Sequence, residues 1–243
     1  MHSALIIARR ELAAYFATPV AVVFIVIFLA MQSALTFNVG HFFDRNQANL
    51  SAFFSYLPWV LLLLVPALTM RQWAEERRGG SIELLLTLPI AVWQAVLGKF
   101  LAAWAFCTLA ILLTFPFVVT VNYLGHPDNG AIVAGYVGAL LLAGSFLAIG
   151  AALSAATKNQ VIAFVLAVSV CFLTLATGTA TVASLLTRLS PDLAHIARLA
   201  SVADRFGDFT RGVIAARDVL YFASVMIFFL FLATLVVGEK RAD

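Results

Sequence analysis

Long apolar runs are the feature that most constrains what this chain can fold into. A transmembrane helix needs about 20 consecutive, mostly apolar residues, and six runs of this kind occur at 20–37, 53–70, 100–121, 131–156, 161–181 and 219–238. The chain is 63% hydrophobic and 11% charged, whereas soluble domains carry about 25% charged residues. We therefore predict an all-α polytopic membrane protein with six transmembrane helices, forming one domain over residues 1–243.

Basic residues in the connections predict the orientation of these helices, because Lys and Arg are enriched in short cytoplasmic loops. If the N-terminus is cytoplasmic, the inner connections and termini contain Arg9, Arg10, Arg71, Arg77, Arg78, Lys99, Lys158, Lys240 and Arg241. In the outer connections 38–52 and 122–130, Arg45 is the only lysine or arginine. The third outer connection, 182–218, is longer, and its arginines are offset by aspartates. We expect both termini to be cytoplasmic.

Residues 3–17 are predicted to form a short helix before the first span. Leu5, Leu12 and Phe16 share one helical face, and Arg9 falls close to it. A long arginine side chain can extend toward lipid headgroups, so we predict an interfacial helix that lies on the membrane. The alternative is an unstructured tail.

Small residues and prolines predict how the spans pack. Residues of the small-x-x-x-small type let helix backbones approach closely in lipid, and a proline inside a helix produces a kink. We expect a kink at Pro116 in the third span. The fourth span contains three small pairs: Gly135 with Ala139, Gly144 with Ala148, and Gly150 with Ser154.

The outer segment 183–217 is too apolar for a solvated loop of its length. Leucines and phenylalanines recur in it at helical spacing, and Gly178 marks a predicted break in the helix before it. We predict short re-entrant helices between the fifth and sixth spans, with Asp204, Arg205, Asp208 and Arg211 facing water or a partner. An outer gate, or a contact for an accessory extracytoplasmic protein, is predicted at Leu185, Leu189, Phe206 and Phe209.

The inner segment 75–93 combines a charged cluster with a short, strongly apolar helix. Gly79 and Gly80 end the charged part, Ser81 is suited to cap the next helix, and Glu83 falls in its first turn, where the helix dipole favours an acid. The apolar run ends at Pro89, and the chain re-enters the membrane after Lys99. Exposed apolar surface of this kind marks a protein or membrane contact. The helix therefore either docks a soluble partner or rests on lipid.

Three stretches resemble a known family of membrane proteins. The segment AEERRGGSIELLLTLPIAVWQAVLGKF, residues 74–100, resembles the signature of ABC-2-type transporter permeases, in the branch associated with gliding motility. IARRELAAYFATP, residues 7–19, is similar to that branch's interfacial helix, and DRFGDFTRGVIAARDVLYFASV, residues 204–225, to its entry into the last span. Ser81 stands where the family more often has threonine, which keeps the capping role.

The resemblance implies a function and partners. Two permease subunits, identical or homologous, would enclose a path across the bacterial inner membrane, and a dimer of separate ATPase subunits would dock on the segment 75–93, called the coupling helix in this family. ATP and Mg²⁺ would bind the ATPase and not this chain. The predicted contacts with that ATPase are Glu75, Glu76, Arg77, Arg78, Ser81, Ile82, Glu83, Leu85 and Leu86.

Other functions are weighed against this one. The sequence contains no G-x-x-x-x-G-K-[ST] phosphate-binding loop, so we expect no ATP hydrolysis by this chain. An intramembrane enzyme, or an ion channel or ion-coupled transporter, needs ionisable residues within the spans, and the six runs contain almost none. His41, His126 and His195 show no metal-ligand spacing. We expect no nucleic-acid partner, since the basic residues are scattered, and the substrate is not specified.

Overall fold

The computed structural model describes residues 2–44, 47–79, 90–190, 192 and 201–239. Within these ranges the secondary structure consists of helices joined by short connections, with no strand. In chain order the helices are α1 (His2–Phe16), α2 (Pro19–Ala34, continued by a π-helical turn Leu35–Val39), α3 (Ser51–Thr69), α4 (Ala74–Gly79), α5 (Val92–Leu112), α6 (Phe115–Leu124), α7 (Asn129–Ala156), α8 (Gln160–Ala176), α9 (Ala180–Leu189), α10 (Val202–Thr210) and α11 (Ala216–Glu239).

Five helical stretches in the described residues are long and apolar enough to cross a membrane: α2 with its π-helical turn, α3 with α4, α5 with α6, α7, and α11. The all-helical, membrane-spanning class is thus confirmed. The fifth predicted span corresponds to α8, which has 17 residues and ends in a turn at Thr177 and Gly178. At 1.5 Å per residue α8 is about 25 Å long, so the sixth crossing stays a prediction.

The break between α5 and α6 comes just before Pro116, at Leu113 and Thr114. Proline has no N–H to donate and is accommodated in the first turn of a helix, which explains why α6 starts here. The helix is therefore interrupted just before the position where the kink is predicted. α5 begins at Val92, about two turns before the predicted start of the third span, so Lys99 lies inside a helix and not in the loop before it.

Helix α7 forms the centre of the bundle, and it packs against α3, α5, α8, α10 and α11. Its small residues permit this close packing. A Cβ atom added at Gly138 would lie 2.7 Å from Cβ of Phe209 in α10, and one at Gly144 would lie 2.7 Å from Sδ of Met226 in α11. The predicted role of the small residues in the fourth span agrees with these approaches.

Helix α1 packs along α5 through a similar close contact. A Cβ atom at Gly98 would lie 2.8 Å from the Ile7 side chain, while Leu5 and Phe16 of α1 remain exposed. The helix predicted over 3–17 is therefore present, with one apolar face on the bundle and further apolar side chains left outside. Its contact with a lipid surface stays a prediction.

Candidate functional site

The charged helix α4 follows α3 after a short turn, and Ser154 near the end of α7 holds this turn. The Ser154 hydroxyl accepts hydrogen bonds from the backbone N–H groups of Trp73 and Ala74, both at 3.2 Å. It donates to the Met70 carbonyl at 3.0 Å. These backbone groups are buried and need partners. A single hydroxyl thus fixes where α4 begins relative to the central helix.

Lys99 of α5 forms the centre of an ion-pair cluster beside this turn. Its ammonium lies 2.7 Å from Oε1 of Glu76 in α4 and 3.4 Å from Oε1 of Glu11 in α1, and its side chain is only 6% exposed. The ammonium also lies 5.3 Å from the centroid of the Trp73 ring. A buried cation requires charge compensation, and two carboxylates and an aromatic face supply it. The cluster, Glu11, Trp73, Glu76 and Lys99, joins α1, the turn before α4, α4 itself and α5, and we call it the Lys99 cluster.

The four charged residues of α4 divide into two pairs with different surroundings. Glu76 and Arg77 are partly buried against the bundle, and the Arg77 guanidinium donates a hydrogen bond to the Ala155 carbonyl in α7. Glu75 and Arg78 are exposed. Glu75 forms an ion pair with exposed Arg71, at 2.9 Å. One pair therefore attaches α4 to the bundle, and the other is open to a partner.

Tyr15 attaches α1 to the same end of the molecule. Its ring stacks on Phe106 at a centroid distance of 5.3 Å, and the Gln72 amide donates to its hydroxyl at 3.5 Å. Burial raises the pKa of Tyr15 to about 12, because the charged phenolate loses its hydration there. The phenol is therefore neutral at physiological pH and serves as a packing and hydrogen-bonding group.

The remaining predicted contacts of this segment, Ser81, Ile82, Glu83, Leu85 and Leu86, lie outside the described residues. The role of Lys99 was missed by sequence reasoning, which assigned it to a loop. A signal was present, because Val96, Lys99 and Ala103 follow the i, i+3, i+7 spacing of one helical face, and all three are buried.

At the other end of the bundle, α10 packs its apolar face inward. Phe206 is 4% exposed and Phe209 is fully buried, and both lie close to Gly138 of α7. Arg205, expected to face water, instead has Nη1 2.8 Å from Oδ1 of Asp218, whose side chain is fully buried in the first turn of α11. Arg217 also approaches Asp218, with Nε 3.6 Å from Oδ1. The shorter pair with Arg205 joins α10 to α11 and supplies the closest charge compensation for the buried carboxylate.

The exposed side of this end of the bundle carries a second ion-pair group. Asp208 pairs with Arg211 at 3.1 Å and with Arg217 at 3.2 Å. In α9, Leu185 is 54% exposed, and Leu189 is the last residue of that helix. The structure thus brings Phe206 and Phe209 together inside the subunit, whereas Leu185 lies on its surface.

The described residues contain no group of three or more His, Cys, Asp or Glu side chains arranged to hold a metal ion. Cys107 and Cys171 are buried free thiols. The interaction that the two ion-pair regions provide is electrostatic attachment of one helix to another.

The described residues thus form a helical bundle with membrane-spanning helices and with ion-pair groups at both ends. The chain matches the family model of ABC-2 family transporter proteins over residues 5–237, and it belongs to that family. It is therefore a membrane permease component of an ABC transporter and not itself the ATPase. No curated protein matches the chain.

Proposed function

We propose that this chain is the permease subunit through which separate ATPase subunits drive export or mechanical work across the bacterial inner membrane. The observation that carries the proposal is the Lys99 cluster, in which the helix leading into segment 75–93 is ion-paired to α1 and α5. An ATPase docked on that segment would push or pull on α4. The exposed residues Glu75 and Arg78 are the described groups open to it.

The contacts of α4 would transmit such a movement to three other helices, α1, α5 and α7. Glu76 is tied to Lys99 in α5, and Lys99 in turn to Glu11 in α1. Arg77 and the Ser154 hydroxyl connect the same region to α7. Separating a buried ion pair leaves an uncompensated charge, which costs about 3–5 kcal/mol. Displacement of α4 is therefore better accommodated by moving α1, α5 and α7 with it than by breaking these contacts.

The remaining parts of the proposal follow the family resemblance. ATP and Mg²⁺ bind a dimer of ATPase subunits, and a second permease copy, or a homologous permease, completes the path through the membrane. The chain belongs to the branch associated with gliding motility, with both termini cytoplasmic. Segment 183–217 is re-entrant from the outside, and Leu185, Leu189, Phe206 and Phe209 contribute to an outer gate or to the contact with an accessory protein.

The first experiment identifies the ATPase. The tagged chain is purified from its own host's membranes in mild detergent, and co-purifying subunits are identified by mass spectrometry. We expect an ATPase subunit to be retained, and the complex in lipid nanodiscs to hydrolyse ATP, whereas the chain alone does not. ATP turnover by the pure chain, or a complex without any ATPase, would contradict the proposal.

The second experiment tests the route of coupling. A cysteine at exposed Leu185 is labelled by a water-soluble maleimide in the nucleotide-free and ATP-bound complexes. We expect the labelling rate to depend on nucleotide in the parent complex and in the Arg71→Ala control, whose ion pair is exposed. Glu76→Gln should leave ATP hydrolysis in place and remove that dependence. If Glu76→Gln behaves like Arg71→Ala, the Lys99 cluster does not carry the coupling.

A further inference from the structure

A cavity of about 400 Å³ lies at the outer end of the bundle, between α3, the end of α8 and α10. Its walls are mainly apolar and include Phe54, Pro58, Trp59, Leu175 and Phe206. Pockets that bind small molecules have about 300–1,000 Å³ and mostly apolar linings with a few polar groups. This cavity therefore has the size and the lining of a ligand site.

The hydroxyl groups in the cavity wall are already engaged as donors. Ser55 donates to the Ser51 carbonyl at 2.8 Å, Thr179 to the Ala176 carbonyl at 2.7 Å, and Thr210 to the Gly207 carbonyl at 2.9 Å. Serine and threonine in helices commonly bond in this way to their own backbone. These hydroxyl groups thus already donate hydrogen bonds within the protein, so the cavity favours an apolar ligand.

Arg211 is the only charged residue among the lining residues that the structure describes. Its guanidinium donates to Asp208 at 3.1 Å and to the Gly207 carbonyl at 3.2 Å. Guanidinium has five N–H groups in total, and the side chain is 73% exposed, so donors remain for a ligand at the cavity edge. A cation there disfavours a positively charged ligand and accepts a neutral or anionic one.

The cavity continues into an exposed apolar surface. Trp59 is 41% exposed although it lines the cavity, and its ring lies 6.3 Å from that of Phe172, which is 46% exposed. In a membrane-spanning bundle such a surface faces hydrocarbon or another apolar surface. A hydrocarbon chain therefore has a path from the bilayer into the cavity without crossing a polar barrier.

We propose that this cavity binds the hydrocarbon chain of an amphiphile whose head group is uncharged or anionic, with the head group at Arg211. The chain lies against Phe54, Trp59 and Phe206, and the head group stays at the polar edge near Thr210. This inference rests on the proposed function and deepens it, since it names the class of molecule handled at the outer end. Binding itself needs neither ATP nor the ATPase.

The test uses the purified chain in nanodiscs without ATPase or nucleotide. Stearic acid carrying a photoactivatable diazirine on its chain is irradiated with the protein, and labelled peptides are identified by mass spectrometry. We expect labelling to concentrate in peptides containing Phe54 to Trp59 or Phe206, and the corresponding alkylamine to label them at least tenfold less. Labelling spread evenly over the exposed faces of α2 and α11, or equal labelling by the amine, would overturn the proposal.

Matched variants separate the cavity from nonspecific effects. Ala203→Phe fills the cavity and should reduce labelling about tenfold, whereas Ala105→Phe adds the same ring on an exposed position of α5 and should change nothing. Thr179→Leu is a milder filling variant, used if Ala203→Phe does not elute as a folded species in gel filtration. Undiminished labelling in a folded filling variant overturns the proposal.

The head-group contact has its own control. Arg211→Gln should weaken binding of the fatty acid about tenfold, as expected for loss of a charge-assisted hydrogen bond, and leave its methyl ester unaffected. Arg217→Gln removes another exposed partner of Asp208 outside the cavity and should leave both ligands unaffected. Equal effects of the two substitutions would remove Arg211 from the site and overturn the assignment of the head group.

Two further measurements identify the source of the ligand and test whether the cavity is instead a contact between copies of the chain. A phospholipid with a diazirine in its acyl chain, tested alongside the fatty acid, distinguishes bilayer lipid from a free amphiphile, and cavity labelling by either supports the site. If Ala203→Phe instead changes the dimer fraction and leaves labelling intact, the cavity is a contact between copies, which contradicts the proposal. Failure here leaves the ATPase experiments untouched, and failure of those leaves the binding result standing.

Discussion

Lys99 is the residue that joins α1, α4 and α5 at one end of the bundle. The Lys99 stem is buried in α5, and its ammonium is shared between carboxylates on two other helices. The two glutamates retain about a quarter of their side-chain exposure, at 25% for Glu76 and 23% for Glu11. They therefore keep some hydration while the lysine keeps almost none. Lys99 therefore depends on the two glutamates for charge compensation more than either glutamate depends on Lys99.

Lys99→Met tests this dependence, since methionine keeps much of the stem and removes the charge. The two carboxylates then lose the cation that they share, although Glu11 keeps its ion pair with Arg10 at 2.9 Å. We expect the free energy of unfolding to fall by about 2 kcal/mol, below the full cost of breaking a buried pair because the glutamates are partly hydrated. Thermal unfolding in detergent measures the effect. The exposed Arg71–Glu75 pair is the control, and Arg71→Ala should cost at most about 1 kcal/mol. Equal losses in the two variants would contradict a special role for Lys99.

The Arg205–Asp218 pair at the opposite end of the bundle gives a second prediction at the scale of single residues. Arg205→Ala leaves the fully buried Asp218 carboxylate without its closest cation, and we expect a loss of about 3 kcal/mol in unfolding free energy. In that variant Arg217, at 3.6 Å, is the remaining cation beside Asp218. Adding Asp218→Asn removes the buried charge and should recover a large part of the loss. A double-mutant cycle on thermal unfolding measures the coupling. Additive effects of the two substitutions would show that the pair contributes nothing as a pair.

At the scale of elements, α7 determines how closely the bundle can pack. Its glycines face aromatic, thioether and hydroxyl side chains from four neighbouring helices, including Phe54 of α3, Phe209 of α10 and Met226 of α11. In lipid no hydrophobic force drives helices together, so association depends on such close packing and on hydrogen bonds. The large side chains come from the neighbours, and α7 supplies the space for them.

Gly138→Val fills one of these spaces. The added Cβ would lie 2.7 Å from Phe209, so α10 must shift, and we expect the unfolding free energy to fall by about 1–3 kcal/mol. A cysteine at Leu185 should also change its labelling rate if α9 moves with α10. Gly238→Ala in α11 is the matched control, because a Cβ there meets nothing within 4 Å. An unchanged melting temperature for Gly138→Val would show that the contact is not tight in solution.

The segment 75–93 carries a prediction that rests on its sequence. Leu85→Pro should break the predicted coupling helix, because proline removes a backbone donor and costs about 3 kcal/mol within a helix. We expect the ATPase to hydrolyse ATP without any nucleotide dependence of outer labelling, or to dissociate. Leu85→Ala, which keeps the helix and removes one apolar anchor, should weaken ATPase binding more mildly. A fully coupled Leu85→Pro complex would show that no helix is needed here.

Some elements were predictable because their signals are local. The break before Pro116 and the close packing of the glycines in α7 follow from individual residue types and their spacing. The ion pairs were not predictable in this way. Glu11, Glu76 and Lys99 lie far apart in the sequence. The packing of α1 on α5 at Gly98 and the turn that Ser154 holds before α4 bring them together. The pairing of Arg205 with buried Asp218 likewise depends on where α11 begins, and no local sequence pattern specifies that position.

At the scale of the whole molecule, α7 connects the two ion-pair regions. Its 28 residues span about 42 Å at 1.5 Å per residue. Near its C-terminus Ser154 holds the turn before α4, and in its N-terminal half Gly138 receives Phe209 of α10. A continuous helix with contacts in both halves is a physical route by which displacement of α4 would reach α10. The outer cavity lies beside α10, so the same displacement would act on its wall.

The positions of contacts along α7 also bear on the number of membrane crossings. Helix α8 starts shortly after α7 ends, at the end of the bundle near α4, whereas α10 packs against the N-terminal part of α7. The chain between Gln160 and Val202 must therefore travel from one end of the bundle to the other. Helix α11 returns, since Ala233 and Val237 pack with Trp73 and Ala155. We predict that α8 crosses the membrane and that the crossings number six, with both termini cytoplasmic.

Cysteine labelling in intact cells tests this prediction, because five crossings would leave the two termini on opposite sides and six leave them on the same side. The native thiols Cys107 and Cys171 are both buried and are replaced by alanine to give a silent background. Tyr123→Cys, at a position that is 89% exposed near the end of α6, should react with an impermeant maleimide added from outside. Ala242→Cys and Ser3→Cys should react only after the membrane is permeabilised. Reaction of the Ala242 variant in intact cells, with Ser3→Cys still protected, would mean an odd number of crossings and would remove α8 from the set of spanning helices.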